Sequence, residues 1–229
     1  METISSDSNR KSPAYFVFFD LDKTLTSAIS GREMVKYAFK KGLMGPSDLL
    51  YAIYLSLGYK LKIKDPHTLI NEMATWVKGI PENTLEELLS VVFSESILPS
   101  LYQEARNEIK NHKEKNAGLV ILSSSLRPLC RKVAEYLDLD DVICSDLEVS
   151  NGFFTGRYTG MNCFAEEKAV RLKKYCEQNN STLQLSWYYG DSIFDLAPLS
   201  IVGNPVCVNP DRMLRKIAMK NKWKICNWG

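Results

Sequence analysis

Asp20-Leu21-Asp22-Lys23-Thr24 places two carboxylates two residues apart, directly after the apolar run Tyr15-Phe16-Val17-Phe18-Phe19. Alternate residues of an extended chain share a side, so both acids would project together from the end of a strand. Two like charges in a folded interior need a cation or hydrogen-bonding partners. Taken alone, the pair is equally a solvated turn, because short motifs recur by chance. Three other groups can join it. Ser123-Ser124-Ser125 ends a second apolar run and offers hydroxyls and backbone amides; alone it is a loop, and it lacks the GxSxG frame of a serine hydrolase. Lys168 opens an amphipathic segment, and alone it would be an exposed lysine. Gly190-Asp191-Ser192-Ile193-Phe194-Asp195 ends a third run, with two acids four apart where strand turns into helix; alone that is a helix cap.

Each group follows a buried-type strand or opens the next helix. All can therefore meet at the carboxyl edge of one parallel sheet, where open α/β sheets bind ligands. Three or four carboxylates form a hard oxygen set that suits Mg²⁺, which takes a couple of carboxylates plus a substrate phosphate. The lysine and amides would neutralise phosphoryl oxygens while a carboxylate attacks in line.

The elements that must position these residues are legible in the hydrophobic pattern. Residues 15–19, 118–122, 142–144, 187–189 and 206–208 are aromatic or β-branched runs without alternation, as in strands buried on both faces. Helical spacing over Arg127–Leu137 and residues 165–178 alternates with them, which predicts an α/β fold: a doubly wound, Rossmann-like parallel sheet. Between residues 25 and 96 only helical patterns occur (31–41, 47–59, 66–77 and 81–94), so a helical cap domain is inserted after the first strand. Asn151-Gly152 between two strand-like runs predicts a hairpin. The expected division is a disordered tail over 1–13, a core of 14–25 and 97–229, and a cap of 26–96.

Composition narrows the function. With 45% hydrophobic and 24% charged residues the 229-residue chain can bury a core. A net charge of +2 gives no nucleic-acid footprint. Two histidines exclude a multi-histidine metal centre. The six cysteines form no CxxC pair, against a zinc ribbon or thioredoxin-type site, and none has an arginine six positions later. Residues 1–12 are polar and unlike a signal peptide, so a cytoplasmic protein with reduced thiols is expected. Residues 49–59 form an 11-residue uncharged run, short of the roughly 20 a spanning helix needs.

In their order along the chain, residues 20–24, Ser123, Lys168 and 190–195 resemble the four motifs of the haloacid dehalogenase superfamily. The helical insertion resembles subfamily I, and the hairpin, the run Cys163-Phe164-Ala165-Glu166-Glu167-Lys168 and the segment 203–211 resemble its phosphoserine-phosphatase-like branch, IB. The resemblance implies a Mg²⁺-dependent phosphatase acting on a small, soluble phosphomonoester. Asp20 would be the nucleophile that forms an aspartyl-phosphate. Asp22 would serve as acid and then base, with its backbone carbonyl helping to hold Mg²⁺. Thr24 would support that loop, Ser123 and Ser124 would bind phosphate, Lys168 would neutralise it, and Asp191 with Asp195 would complete the metal site.

The chain departs from phosphoserine phosphatases at Ile29, where they carry a glutamate that reads the substrate amine, at Ser124 and Ser125, where they have two glycines, and at Phe194, where they have an asparagine. Arg32 or Glu33 is the candidate replacement one turn later. Two other readings stand beside the leading one. In the first, a lipid-phosphate phosphatase of the same chemistry rests residues 49–59 and Lys60, Lys62 and Lys64 on a membrane surface; the plainer expectation is that 49–59 packs the cap's own core. In the second, a non-catalytic phospho-acceptor clusters similar groups without a cap.

Overall fold

The computed structural model describes residues 12–61 and 66–229. The tail expected over 1–13 falls outside them except for residues 12 and 13. The central strand β1 (Phe16–Phe19) is buried along its whole length. Four helices follow: α1 (Ser30–Lys40), α2 (Pro46–Leu61), α3 (Pro66–Met73) and α4 (Glu82–Val92). The chain then passes through α5 (Gln103–Glu114), β2 (Gly118–Leu126), α6 (Arg127–Leu137), β3 (Asp141–Ser145) and a hairpin of β4 (Leu147–Ser150) and β5 (Phe153–Tyr158). It ends with α7 (Glu166–Gln178), β6 (Trp187–Gly190), α8 (Leu196–Ile201), β7 (Asn204–Val208), α9 (Arg212–Asn221) and β8 (Lys224–Cys226).

The main sheet has the order β3-β2-β1-β6-β7-β8, with every pairing parallel. Alternation along β1 supplies both of its faces. Val17 and Phe19 pack with Ala105 and Ile109 of α5 and Leu129 and Val133 of α6. Phe16 and Phe18 pack with Leu172 of α7, Leu199 of α8 and Leu214 of α9. Each such buried side chain contributes about 1.5–3 kcal/mol. Helices on both faces make the sheet doubly wound. The strand order reverses between β1 and β6, which is the switch point where such sheets bind ligands.

At the hairpin, Asn151 (φ 51°) and Gly152 (φ 80°) both take positive φ, as a type I′ turn requires. The third strand-free helical pattern ends early: α3 stops at Met73 and a 3-10 turn covers Thr75–Val77. All six cysteines are free thiols.

The expectation that residues 49–59 pack the insertion's own core is corrected. Leu55 is buried, but Leu50, Tyr51, Ile53, Tyr54 and Leu57 are 44–68% exposed. The reason is that α2 is apolar on nearly every side, while its principal packing is against α1 and α3. The side chain of Lys60, and Lys62 and Lys64 altogether, lie outside the described residues. No helix among the described residues is long and apolar enough to cross a membrane.

Candidate active site

Past β1 the chain turns through Lys23, whose φ is 60°, so that the amides of Leu25 and Thr26 return to the Leu21 carbonyl at 3.0 and 3.2 Å. That turn places Asp20 and Asp22 at the carboxyl edge of the sheet. Asp20 is buried, its amide donating to the Tyr189 carbonyl at 2.9 Å. Lys168 reaches it from the first turn of α7. The helix is entered through Ala165, held at φ 47° and ψ −117°, a conformation that costs an alanine about 1–3 kcal/mol. Backbone strain is thus concentrated three residues from the lysine.

Lys168 is 4% exposed, and its Nζ donates to Asp20 Oδ1 at 2.9 Å, Asp195 Oδ1 at 2.7 Å and Tyr188 Oη at 3.2 Å. The Tyr188 hydroxyl donates in turn to Asp195 Oδ1 at 2.7 Å. Asp195 Oδ2 accepts from the amides of Asp191 and Ser192, both at 3.2 Å. Asp195 therefore caps its helix and pairs with the buried lysine at once. Gly190 makes this approach feasible, since a Cβ there would lie 2.8 Å from Asp195. Asp211 clamps the same loop: its Oδ2 accepts from the Ile193 amide at 2.7 Å, and its own amide donates to the Asp191 carbonyl at 2.8 Å.

The Asp22 carboxylate does not join the cluster. It turns to the N-terminus of α1, where the Ser30 amide donates to Oδ1 at 2.9 Å and the Ser30 hydroxyl to Oδ2 at 2.8 Å. Ser30 Oγ also meets Ser125 Oγ at 2.9 Å. Ser123 to Ser125 lie where the β2–β3 register shifts between Leu122 and Leu126. Ser123 is buried, and its Oγ accepts from the Ser125 amide at 3.3 Å. Thr24 is buried with no partner for its Oγ1 among the described residues. Glu33 points elsewhere, accepting from Lys36 at 3.1 Å and Ser96 at 3.0 Å.

Burial pushes the Asp20 carboxyl above its usual range, against the pull of Lys168. Burial, then the Asp20 charge, raise Asp22 to about 7, with the Ser30 hydrogen bonds opposing. Burial, then Asp195 and Asp20, raise Asp191 to about 9. Burial would raise Asp195 too, but Lys168 and Tyr188 hold it low. Burial opposes the Lys168 charge, yet Asp195 and Asp20 lift its pKa well above the ordinary value. With every carboxyl ionised the cluster would carry more negative charge than one lysine offsets, which with burial is why Asp20 and Asp191 hold their protons above the usual range.

Oxygens of Asp20, Asp191 and Asp195 lie within 4.8 Å of one another. An all-carboxylate set with surplus charge fits a hard divalent cation. Sequence reasoning missed Tyr188, Ser30 and the clamping role of Asp211. Only strand alternation, which turns Tyr188 away from Trp187 and Tyr189, pointed toward the first of these.

A cavity of about 680 Å³ has Asp22, Ser30, Arg32, Ser124 and Ser125 in its wall. Comparison with known proteins gives a family match to haloacid dehalogenase-like hydrolases over residues 17–200. The chain is similar to a histidinol-phosphatase of Neisseria meningitidis serogroup C (strain 8013), at 27% identity over 92% of this chain and 97% of that protein. Its fold is similar to that of a protein of unknown function from Bordetella pertussis Tohama I (TM-score 0.84, 23% identity, 93% of this chain and 97% of that one). It is also similar to a substrate-bound phosphoserine phosphatase (TM-score 0.70, 17% identity, 96% of this chain and 94% of that one).

Proposed function

The chain belongs to the haloacid dehalogenase-like hydrolases and is a phosphoric monoester hydrolase; we propose that it works through an aspartyl-phosphate on Asp20, with Mg²⁺ bound beside it. The observation that carries this reading is the separation of the two motif acids. Asp20 pairs with Lys168 through Oδ1, while Asp22 stands apart on Ser30 with a pKa near 7. Lys168 holds Asp20 through Oδ1, and the attack on phosphorus is assigned to the other carboxylate oxygen.

The bond to the leaving oxygen breaks as the Asp20–phosphorus bond forms, and Asp22 supplies the proton to the departing alcohol. A water that gives its proton to Asp22 then attacks phosphorus, releasing inorganic phosphate and restoring Asp20. A group near pKa 7 serves both steps well. Lys168, Ser123 and Ser124 are assigned to the phosphate, and Thr24 to the support of the loop. Asp20, Asp191, Asp195 and the backbone carbonyl of Asp22 are assigned to Mg²⁺, which when bound supplies neutralising charge to the phosphoryl oxygens.

Residues 26–96 form the cap over this edge and 14–25 with 97–229 the core, a division supported by the cavity lying between α1–α4 residues and the serine loop. The six free thiols suit a reducing compartment such as the cytoplasm. Family membership sets the non-catalytic acceptor aside.

The test is phosphate release from p-nitrophenyl phosphate. Turnover with Mg²⁺ is expected to vanish with EDTA and to fall about a thousandfold or more in Asp20→Asn. Metal-independent turnover, or an active Asp20→Asn, would overturn the mechanism.

A further inference from the structure

The wall of the 680 Å³ cavity is mostly apolar. Its volume lies within the roughly 300–1,000 Å³ of small-molecule sites. Asp22, Ser30 and Ser125, joined by hydrogen bonds, form one polar group of the wall together with Ser124. Much of the remaining wall is apolar, including Val35, Ile53, Leu57, Met73 and Leu89. Asp22 and Arg32 are the only charged residues lining it among the described residues. Since Asp22 is engaged by Ser30 and assigned to proton transfer, no carboxylate remains to pair with a substrate ammonium. Beyond Arg32, Trp76 and Tyr158 the outer wall offers few polar side chains, so a polyhydroxylated leaving group would leave some of its hydrogen bonds unmade, at a cost of about 1–3 kcal/mol each.

The helix α2 extends the same surface outward. Ile53 and Leu57 line the cavity and are nevertheless 48% and 52% exposed, next to Leu50 and Tyr54 at 68% and 53%. A helix apolar on nearly all sides is normally buried. Here it stands between the chamber and the outside, so the chamber reaches the surface through an apolar rim.

We infer that the leaving group of the phosphomonoester is apolar: an alkyl chain or hydrophobic ring system that fills the chamber beneath α2 while its phosphate lies at Asp20 and Lys168. The inference rests on the phosphatase reading. A single-chain ester free in water and a lipid phosphate in a bilayer share this chemistry.

The experiment measures kcat/KM with Mg²⁺ for n-alkyl phosphates from methyl to dodecyl, kept below their aggregation concentrations, beside phosphoserine and p-nitrophenyl phosphate. Lysophosphatidic acid in phosphatidylcholine vesicles forms a separate arm. A rise of about two- to fourfold per methylene until the chamber is full is expected. In Leu57→Glu the octyl-to-methyl ratio, read within one protein, is expected to fall at least tenfold. Vesicle turnover above that of free dodecyl phosphate would assign the lipid source, and turnover at or below it the free ester. A flat series with active methyl phosphate or phosphoserine would overturn the inference and leave the phosphatase standing. A rising series that Leu57→Glu leaves unchanged would also overturn it. No turnover of any ester would overturn the phosphatase reading itself.

Discussion

Tyr188 and Tyr189 are neighbours on β6, both fully buried, yet they belong to different chemistries. Tyr188 faces α7 and donates to Asp195, inside a cluster of carboxylates held by one lysine. Tyr189 faces α5 and donates to Glu108 Oε2 at 3.0 Å while meeting His112 Nε2 at 2.9 Å. Tyr15 Oη lies 2.9 Å from His112 Nδ1, so the network is satisfied by a neutral imidazole: Tyr15 donates to Nδ1 and Nε2–H donates to Tyr189. Burial raises the pKa of both tyrosines and lowers that of His112 to about 4. Perturbed titration alone therefore does not mark a site. The difference is surplus charge: the Tyr189 side closes on itself, whereas the Tyr188 side has carboxylates left over at the sheet's switch point.

The sharpest way to break this comparison is Lys168→Met. It leaves Asp20 and Asp195 without their buried cation, with an expected loss of about 3–5 kcal/mol in chemical denaturation and of turnover with it. Unchanged stability would show that the cluster does not depend on the pair. Next is the matched pair Tyr188→Phe and Tyr189→Phe. Each removes one buried hydroxyl and is expected to cost about 1–3 kcal/mol, but only Tyr188→Phe should lower kcat once both proteins are folded. Equal effects on kcat would erase the distinction between the two faces.

The last test is in pH. His112 has a folded pKa of about 4 against 6.5 when free, so the unfolded chain binds the extra proton between those values. The His112 contribution to stability is then expected to rise with pH from about 4 to about 6.5 and to be lost on acidification through that window, while the raised carboxyls of Asp22 and Asp191 act in the opposite direction. The difference in urea midpoint between wild type and His112→Gln should therefore grow with pH across the window, and a difference independent of pH would remove His112 as its source.

Much of this frame was written in the sequence. The four inner strands β2, β1, β6 and β7 were legible because burial on both faces demands unbroken apolar runs, and the edge strand β3 carries a shorter run of the same kind. The edge strand β8, three residues beginning with a lysine, carries no such demand and was not. Helix α5 was hidden by its polarity, since Ala105, Ile109 and His112 are its only buried residues. In the site, spacing placed the acids, the lysine and the serines at one edge. It could not show that Asp22 turns to Ser30, that Tyr188 completes the Lys168 environment or that Asp211 braces the 191–195 loop, because those depend on neighbours distant in the chain. The exposure of α2 was misjudged for the same reason: an apolar helix tells how much surface it offers, not how much of it is covered.

The placement of β1 sets a timetable for synthesis. Phe16 pairs with Gly118 and Val17 with Trp187, so the partners of this strand emerge about 100 and about 170 residues after it. At about 5–20 residues per second the first strand waits about 10–35 s for its second neighbour. Throughout that interval Phe16, Val17, Phe18 and Phe19 have an unpaired edge and apolar side chains on both faces, while the local helices that follow can already form. The strand that leads into Asp20 thus gains from a chaperone's cover on the ribosome.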